Sequence, residues 1–389
     1  MKPGPNCDFL LPAASMEKFS AYRDAGTGIQ PFLTPIPSNA PPTTLQIVQP
    51  LIYAFAVIRF VLSLIVLAEH LLLQAVILVF SPIPPLYRFL AWLLTAIHCR
   101  TLLALAGYGR IKVELTSKKK GRVTTQGEAW SPKAGDLIVS NWCSWAEILW
   151  LAFRFNPIFI MPVANAPQQA EEDSMNLTGR RTGTGSAAIH RNGAMQRTAI
   201  AGFHRVSLLK ILSSLGETPS TNGLPIAGAM SLESIRKDAD RPVVVFPECT
   251  TSNGRGLLRF VDVFESSHAV PVKGYDVFIM CARYDAPTHW KPSATCSIPK
   301  KLPIPLPEPL VQMFTIPFEP SRLTIRLLPL SEGPSSALFL SSDTLVGGGT
   351  KDTLSEACSV LISQVGKLKR TGQGWEEKSS FLSFYYTKS

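Results

Sequence analysis

Paired cysteines are missing from this chain. Its seven cysteines, Cys7, Cys99, Cys143, Cys249, Cys281, Cys296 and Cys358, are odd in number and scattered, with no Cys-x-x-Cys pair. That argues against a zinc ribbon or a disulfide framework and favours reduced thiols in a cytosol-facing protein. Charge is scarce: 17% of the 389 residues against 46% hydrophobic, which excludes a chain that is disordered throughout. No basic reading helix or zinc-finger spacing is present, so nucleic acid is not an expected partner. The net charge of +10 points instead to anionic membrane surfaces, phospholipids or acyl-CoA. The N-terminus has no basic stretch leading into an apolar run, so no signal peptide is expected.

Residues 1–44 are rich in Pro, Ser, Thr and Gly and read as an irregular tail. Residues 45–108 read as membrane-associated helices. Leu51 to Phe80 is almost wholly apolar, broken by Arg59, Glu69, His70 and Gln74. As a helix it would extend roughly 45 Å at about 1.5 Å per residue, more than the roughly 30 Å of a hydrocarbon core. Ser81-Pro82-Ile83-Pro84-Pro85 ends it, and a second apolar stretch runs from Leu86 to Tyr108. Either the first stretch spans and the second lies at the interface, or both form a shallow hairpin in one leaflet; the alternative to membrane association is a buried core helix pair, against which the few ionisable residues argue. Arg110, Lys112, Lys118, Lys119, Lys120 and Arg122 follow, and the positive-inside rule then puts the C-terminal part in the cytosol.

Residues 109–345 read as an α/β domain with a mixed, mostly parallel sheet flanked by helices. Strand patterns occur at 111–115, 136–140, 157–161, 242–246, 277–281 and 323–328, with helical patterns near 143–155, 206–215, 229–238 and 351–370. Residues 164–203 interrupt the alternation and read as a disordered insertion, and 301–309 as a Pro-rich connection. Residues 346–389 read as an amphipathic helix followed by an aromatic tail carrying Trp375, Phe381, Phe384, Tyr385 and Tyr386.

The most specific string is Phe246-Pro247-Glu248-Cys249-Thr250-Thr251-Ser252-Asn253-Gly254-Arg255, directly after Pro242-Val243-Val244-Val245. A buried strand runs here into a polar turn, where an open α/β sheet places ligand-binding groups. The string resembles the F-P-E-G-T block of the PlsC-like glycerolipid acyltransferases. Its extension to Phe260 is most similar to a fungal group of lysophosphatidic acid acyltransferase-like proteins linked by name to vacuolar protein sorting. The resemblance implies a membrane-bound enzyme of the endoplasmic reticulum or lipid droplet. Such an enzyme transfers an acyl group from acyl-CoA, as co-substrate, to a lysophospholipid such as lysophosphatidic acid, with no metal or bound cofactor. It further implies that Glu248, Thr250, Thr251 and Arg255 bind the acceptor's glycerol phosphate, with Cys249 standing where the family has glycine.

The family's base is a histidine in N-H-x-x-x-x-D, at the start of a helix after a strand. The matching place here is Asn141-Trp142-Cys143-Ser144-Trp145-Ala146-Glu147: Trp142 stands for the histidine and Glu147 for the aspartate. An indole N–H donates and cannot accept a proton. Loss of a general base costs about 10²–10⁴ in rate. The alternative expectation is therefore a catalytically weakened relative that binds lipid or acyl-CoA and serves lipid droplets or vesicle trafficking. Cys143 and Ser144 are nucleophile candidates, although a cysteine between tryptophans more often is a buried, inert thiol. Arg205 and Lys210 are further phosphate candidates. A last block resembles Val270-Pro271-Val272 ahead of the strand that ends at Arg283-Tyr284.

Overall fold

The structure is a computed structural model and describes residues 19–37, 42–117, 130–165, 198–264, 270–300, 308–315, 322–337, 339 and 352–388. The strands are β1 Lys112–Leu115, β2 Leu137–Ser140, β3 Ile158–Ala164, β4 Ile200–Val206, β5 Val243–Val245, β6 Gly256–Leu257, β7 Val277–Tyr284, β8 Leu323–Leu327 and β9 Lys369–Arg370. The helices are α1 Thr43–Ile77, α2 Pro84–Leu105, α3 Ala146–Phe155, α4 Leu208–Ser213, α5 Leu232–Lys237, α6 Glu308–Thr315, α7 Thr353–Gly366 and α8 Trp375–Lys388. Among the described residues, seven strands form one sheet in the order β1-β8-β7-β2-β5-β3-β4, while β6 pairs with β9. Pairing is parallel for β1/β8, β2/β7, β2/β5 and β3/β5, and antiparallel for β7/β8 and β3/β4.

The central strands are short β-branched runs buried on both faces, as parallel strands covered by helices must be. Ile138, Val244, Phe278 and Met280 face a core shared with Leu103 of α2 and Ile148, Leu149 and Leu151 of α3. The alternate residues Leu137, Val139, Val243, Val245, Val277 and Ile279 face Leu354, Cys358, Leu361 and Val365 of α7. Local sequence sets the helix ends. Ser207, Ser231 and Asp352 each accept a backbone N–H at the start of α4, α5 and α7, supplying a partner for an otherwise unpaired donor. Asn156, in a left-handed conformation at φ 44°, ends α3. Because β2 and β5 are parallel neighbours with Val139 opposite Val245, the segments after them leave from one edge.

Helices α1 and α2 form an antiparallel pair. Arg59 donates from Nε to the Leu105 carbonyl at 2.6 Å, and the His70 and His98 rings lie 5.1 Å apart. By length and composition, Thr43–Phe80 and Pro84–Leu105 are each long and apolar enough to cross a membrane. The outer surface of α1 carries a heptad stripe, Leu51, Ile58, Ile65 and Leu72, that continues to Val79, each residue at least half exposed. Helix α2 lies along the α/β domain: Arg88 Nε is 3.2 Å from Asp240 Oδ2 near one end, and the Tyr108 ring meets Trp145 at 5.7 Å beyond the other.

Several expectations need correction. Where it is described, the segment before 44 is irregular apart from a 3-10 turn at Ser20–Tyr22, but it is packed on the domain, with Phe19 and Phe32 buried against Phe381 of α8. The first helix begins at Thr43 rather than Leu51, with Pro50 accommodated inside it. The span read as an insertion over 164–203 contains the end of β3 and most of β4, which pairs antiparallel with β3; residues 166–197 lie outside the described residues. Gly202, at φ +159° with Ala229 and Met230 packed against its Cα, masks the strand pattern, since any Cβ there would clash. Residues 301–307, 340–351 and the boundary at 345 also lie outside the described residues. Pro309 opens α6 instead of continuing a connection. The aromatic tail is a helix, α8.

Candidate functional site

The site grows from the two segments that leave β2 and β5. Asn141 ties the first to β7: its amide donates to Ala282 O at 3.0 Å and accepts the Ala282 N–H at 2.8 Å. At the start of α3, Glu147 accepts the backbone N–H groups of Cys143 and Ser144, both at 2.6 Å, and the Tyr284 hydroxyl donates to its other oxygen. A carboxylate at a helix N-terminus with unpaired amides is locally favourable. Burial nevertheless pushes this carboxyl up to about 7, with the Tyr284 and backbone hydrogen bonds pulling the other way. Glu147 therefore does keep an acidic position, and what it orients is backbone and a tyrosine rather than an imidazole.

Trp142 joins the two segments. Its N–H donates to Glu248 Oε2 at 2.7 Å, and its carbonyl accepts the Ser252 N–H at 2.9 Å. The indole is 2% exposed and stacks on Phe246, with ring centroids 4.9 Å apart and planes 23° apart. Its own N–H has no acceptor among the described residues. Glu248 holds the Leu258 N–H at 2.8 Å with its second oxygen, and burial raises its carboxyl to about 8. Cys249 sits at φ 58°, the left-handed region that favours glycine.

Thr250, Thr251, Ser252 and Asn253 of the string are buried. Thr250 donates to Glu217 O at 2.7 Å, and Thr251 donates to Cys296 O. Lys378 of α8, fully buried, donates to Thr250 Oγ1 at 2.8 Å and Thr251 O at 2.7 Å. Burial lowers its ammonium to about 7, against the pull of Glu248. Asn253 donates from its amide to Gln30 O at 2.6 Å and Leu33 O at 2.8 Å, which brings the N-terminal segment over the turn. On the other side Ser144 donates to Ala294 O at 2.6 Å, and the Cys296 N–H to Cys143 O at 2.8 Å.

The structure thus brings Trp142, Glu147, Glu248, Thr250 and Thr251 together, each 0–2% exposed. Arg255 is not among them: it is exposed, and its backbone N–H is held by Asn253 Oδ1 at 3.1 Å. Arg205 and Lys210 hold backbone carbonyls, of Ile235 at 3.1 Å and Asn222 at 2.8 Å. Cys143 is wholly buried, and burial raises its thiol far above the range of a nucleophile.

No family model, no curated protein and no solved structure matches this chain.

Sequence reasoning missed Lys378 and the role of Tyr284. The signal for Lys378 was its place on a stripe with Trp375, Phe381 and Leu382, three and four residues apart, which marks it as the buried cation of an apolar helix face. Tyr284 had no local signal. It meets Glu147 because β7 lies beside β2.

Proposed function

We propose that this chain is a membrane-seated relative of the PlsC-like acyltransferases whose transfer site is closed, and that it binds lipid rather than transferring acyl groups. The observation that carries this is Trp142: the place of the expected base holds a donor-only indole stacked on Phe246 and out of contact with solvent. The polar groups that would meet an acceptor are occupied too. Glu248 holds two backbone N–H groups, and the two threonines are hydrogen-bonded to carbonyls and to Lys378.

A transferase reading draws on one feature. Glu147, with a carboxyl near 7, lies in the range where a general base works. It is fully buried and its oxygens already accept three donors, so transfer by that route needs the site to open.

The way α2 is held supports a seat on the membrane surface. If α2 crossed a bilayer, the α/β domain packed along it from Asp240 to Trp145 would be drawn into hydrocarbon. This packing supports a seat of the helix pair in one leaflet with the heptad stripe of α1 submerged; the cytosolic surface of the endoplasmic reticulum or a lipid droplet is part of the proposal and rests on the resemblance and on the basic residues that follow α2. The deciding experiment is transfer of the radiolabelled oleoyl group of oleoyl-CoA, with release of CoA, onto lysophosphatidic acid, lysophosphatidylcholine and lysophosphatidylinositol by the purified full chain. The expected result is background turnover with all three. Robust wild-type transfer would overturn the closed-site reading.

A further inference from the structure

A second place on the molecule is open, basic and aromatic. It is a groove of about 670 Å³ between α2, α3 and the edge strand β1, away from the closed site. That volume falls in the range of about 300–1,000 Å³ typical of small-molecule sites. Arg100, Arg110 and Arg154 stand around it, and Trp130, Trp150 and Phe155 form its aromatic wall. The wall is rigid: Trp130 packs on Phe155 at 5.2 Å and on Phe278 at 5.0 Å, and Trp150 on Phe155 at 5.8 Å.

Among the described residues the charges of the groove are not balanced. Among the described residues that line it, the one carboxylate, Glu114, already pairs with Lys112 at 2.6 Å and Arg326 at 3.3 Å. Arg110 and Arg154 are exposed and make no ion pair among the described residues. Arg100 is positioned, with its guanidinium donating to the carbonyls of Tyr108 at 3.2 Å and Gly109 at 2.5 Å, which leaves further donors free. The indole N–H of Trp130 is buried without an acceptor among the described residues. An exposed apolar stripe of α2 approaches the groove. Phe89, Leu93 and Ile97, exposed at 55%, 38% and 54%, form one stripe of α2 that leads to Arg100 at the rim.

We infer that this groove binds a phosphate-bearing amphiphile, with the phosphate held by Arg100, Arg110 and Arg154 and the chain laid on the Trp130–Phe155 wall. Guanidinium groups bind phosphate oxygens through charge-assisted, often paired hydrogen bonds, and the aromatic wall removes the chain from water. The apolar approach along α2 assigns the source to the membrane surface rather than to free acyl-CoA.

This rests on the reading of the chain as a membrane-seated lipid binder, but its readout is binding and not transfer. The test is native mass spectrometry of the detergent-solubilised full chain titrated with 1-oleoyl-lysophosphatidic acid, monooleoylglycerol, oleoyl-CoA and inorganic phosphate. We expect lysophosphatidic acid to bind about tenfold or more tightly than monooleoylglycerol or phosphate alone, and more tightly than oleoyl-CoA. Arg110→Ala with Arg154→Ala should remove that preference, while Lys237→Ala, at an exposed cation of α5, leaves it intact. Both altered arginines are exposed, so the fold is expected to survive, and an unchanged far-UV spectrum checks this. Equal binding of lysophosphatidic acid and monooleoylglycerol, or an unaffected double variant, overturns the groove. Tighter oleoyl-CoA binding that depends on the same arginines overturns the membrane source. Wild-type acyl transfer would defeat the closed-site reading and leave these binding results standing.

Discussion

Truncating Trp142 should separate what its ring does from what its N–H does. The indole is 2% exposed and stacks on Phe246 at 4.9 Å, so Trp142→Ala leaves a cavity between the two site segments. Aromatic-to-alanine changes in a core cost about 3–5 kcal/mol. Against that stands the indole N–H, buried without an acceptor among the described residues. Removing an unsatisfied donor of this kind returns about 1–3 kcal/mol. The net expectation for Trp142→Ala is therefore a loss of about 2 kcal/mol, within a range of about 0–4 kcal/mol. Trp142→Phe keeps an aromatic face on Phe246 and deletes only the orphan donor and part of the ring. It should fall within about 1 kcal/mol of the parent. The assay is urea unfolding of the detergent-solubilised full chain followed by far-UV circular dichroism, with free energies from linear extrapolation. If Trp142→Phe costs as much as Trp142→Ala, the N–H has a partner, the site is built around a bound group, and the closed-site argument fails.

The same site gives a transfer prediction. Trp142→His with Glu147→Asp should raise acyl transfer above the background of the parent, by less than the full general-base factor of about 10²–10⁴ because Lys378 and the covering segments stay in place; no gain in the radiolabel assay would count against the resemblance at this motif. Glu147 predicts a pH effect. Its carboxyl titrates near 7 when folded against an ordinary 4.5, so the folded state binds the extra proton between those values and stability falls as pH rises from 4.5 to 7. Glu147→Gln should remove a pH dependence on the order of 3 kcal/mol over that window, read as the difference between parent and variant unfolding curves; identical slopes would mean that Glu147 is ionised throughout. For topology, Asn176-Leu177-Thr178 is a glycosylation sequon. It should stay unmodified in cells, and an endoglycosidase-sensitive mass shift lost in Asn176→Gln would put the domain on the lumenal side.

The sequence by itself determined the layer architecture and the location of the site. Runs such as Val243-Val244-Val245 and Leu137-Ile138-Val139 become strands buried on both faces because β-branched side chains favour the pleated backbone and the helices cover them. The polar strings after β2 and β5 meet because those strands are parallel neighbours, a topology that alternation of strand and helix already favours. The apolar helices and their break at Ser81–Pro85 were equally legible, because length and proline act locally. Only the tertiary structure decided whether the site is open. Its closure depends on Asn253 reaching Gln30 and Leu33, and on Lys378 reaching Thr250 and Thr251. Each contact joins residues more than a hundred positions apart, and no local pattern encodes such a pairing. The seat of α2 on the domain is of the same kind: hydropathy gives a helix long enough to span, and the Arg88–Asp240 pair and the Tyr108–Trp145 packing hold it flat against the sheet's helices.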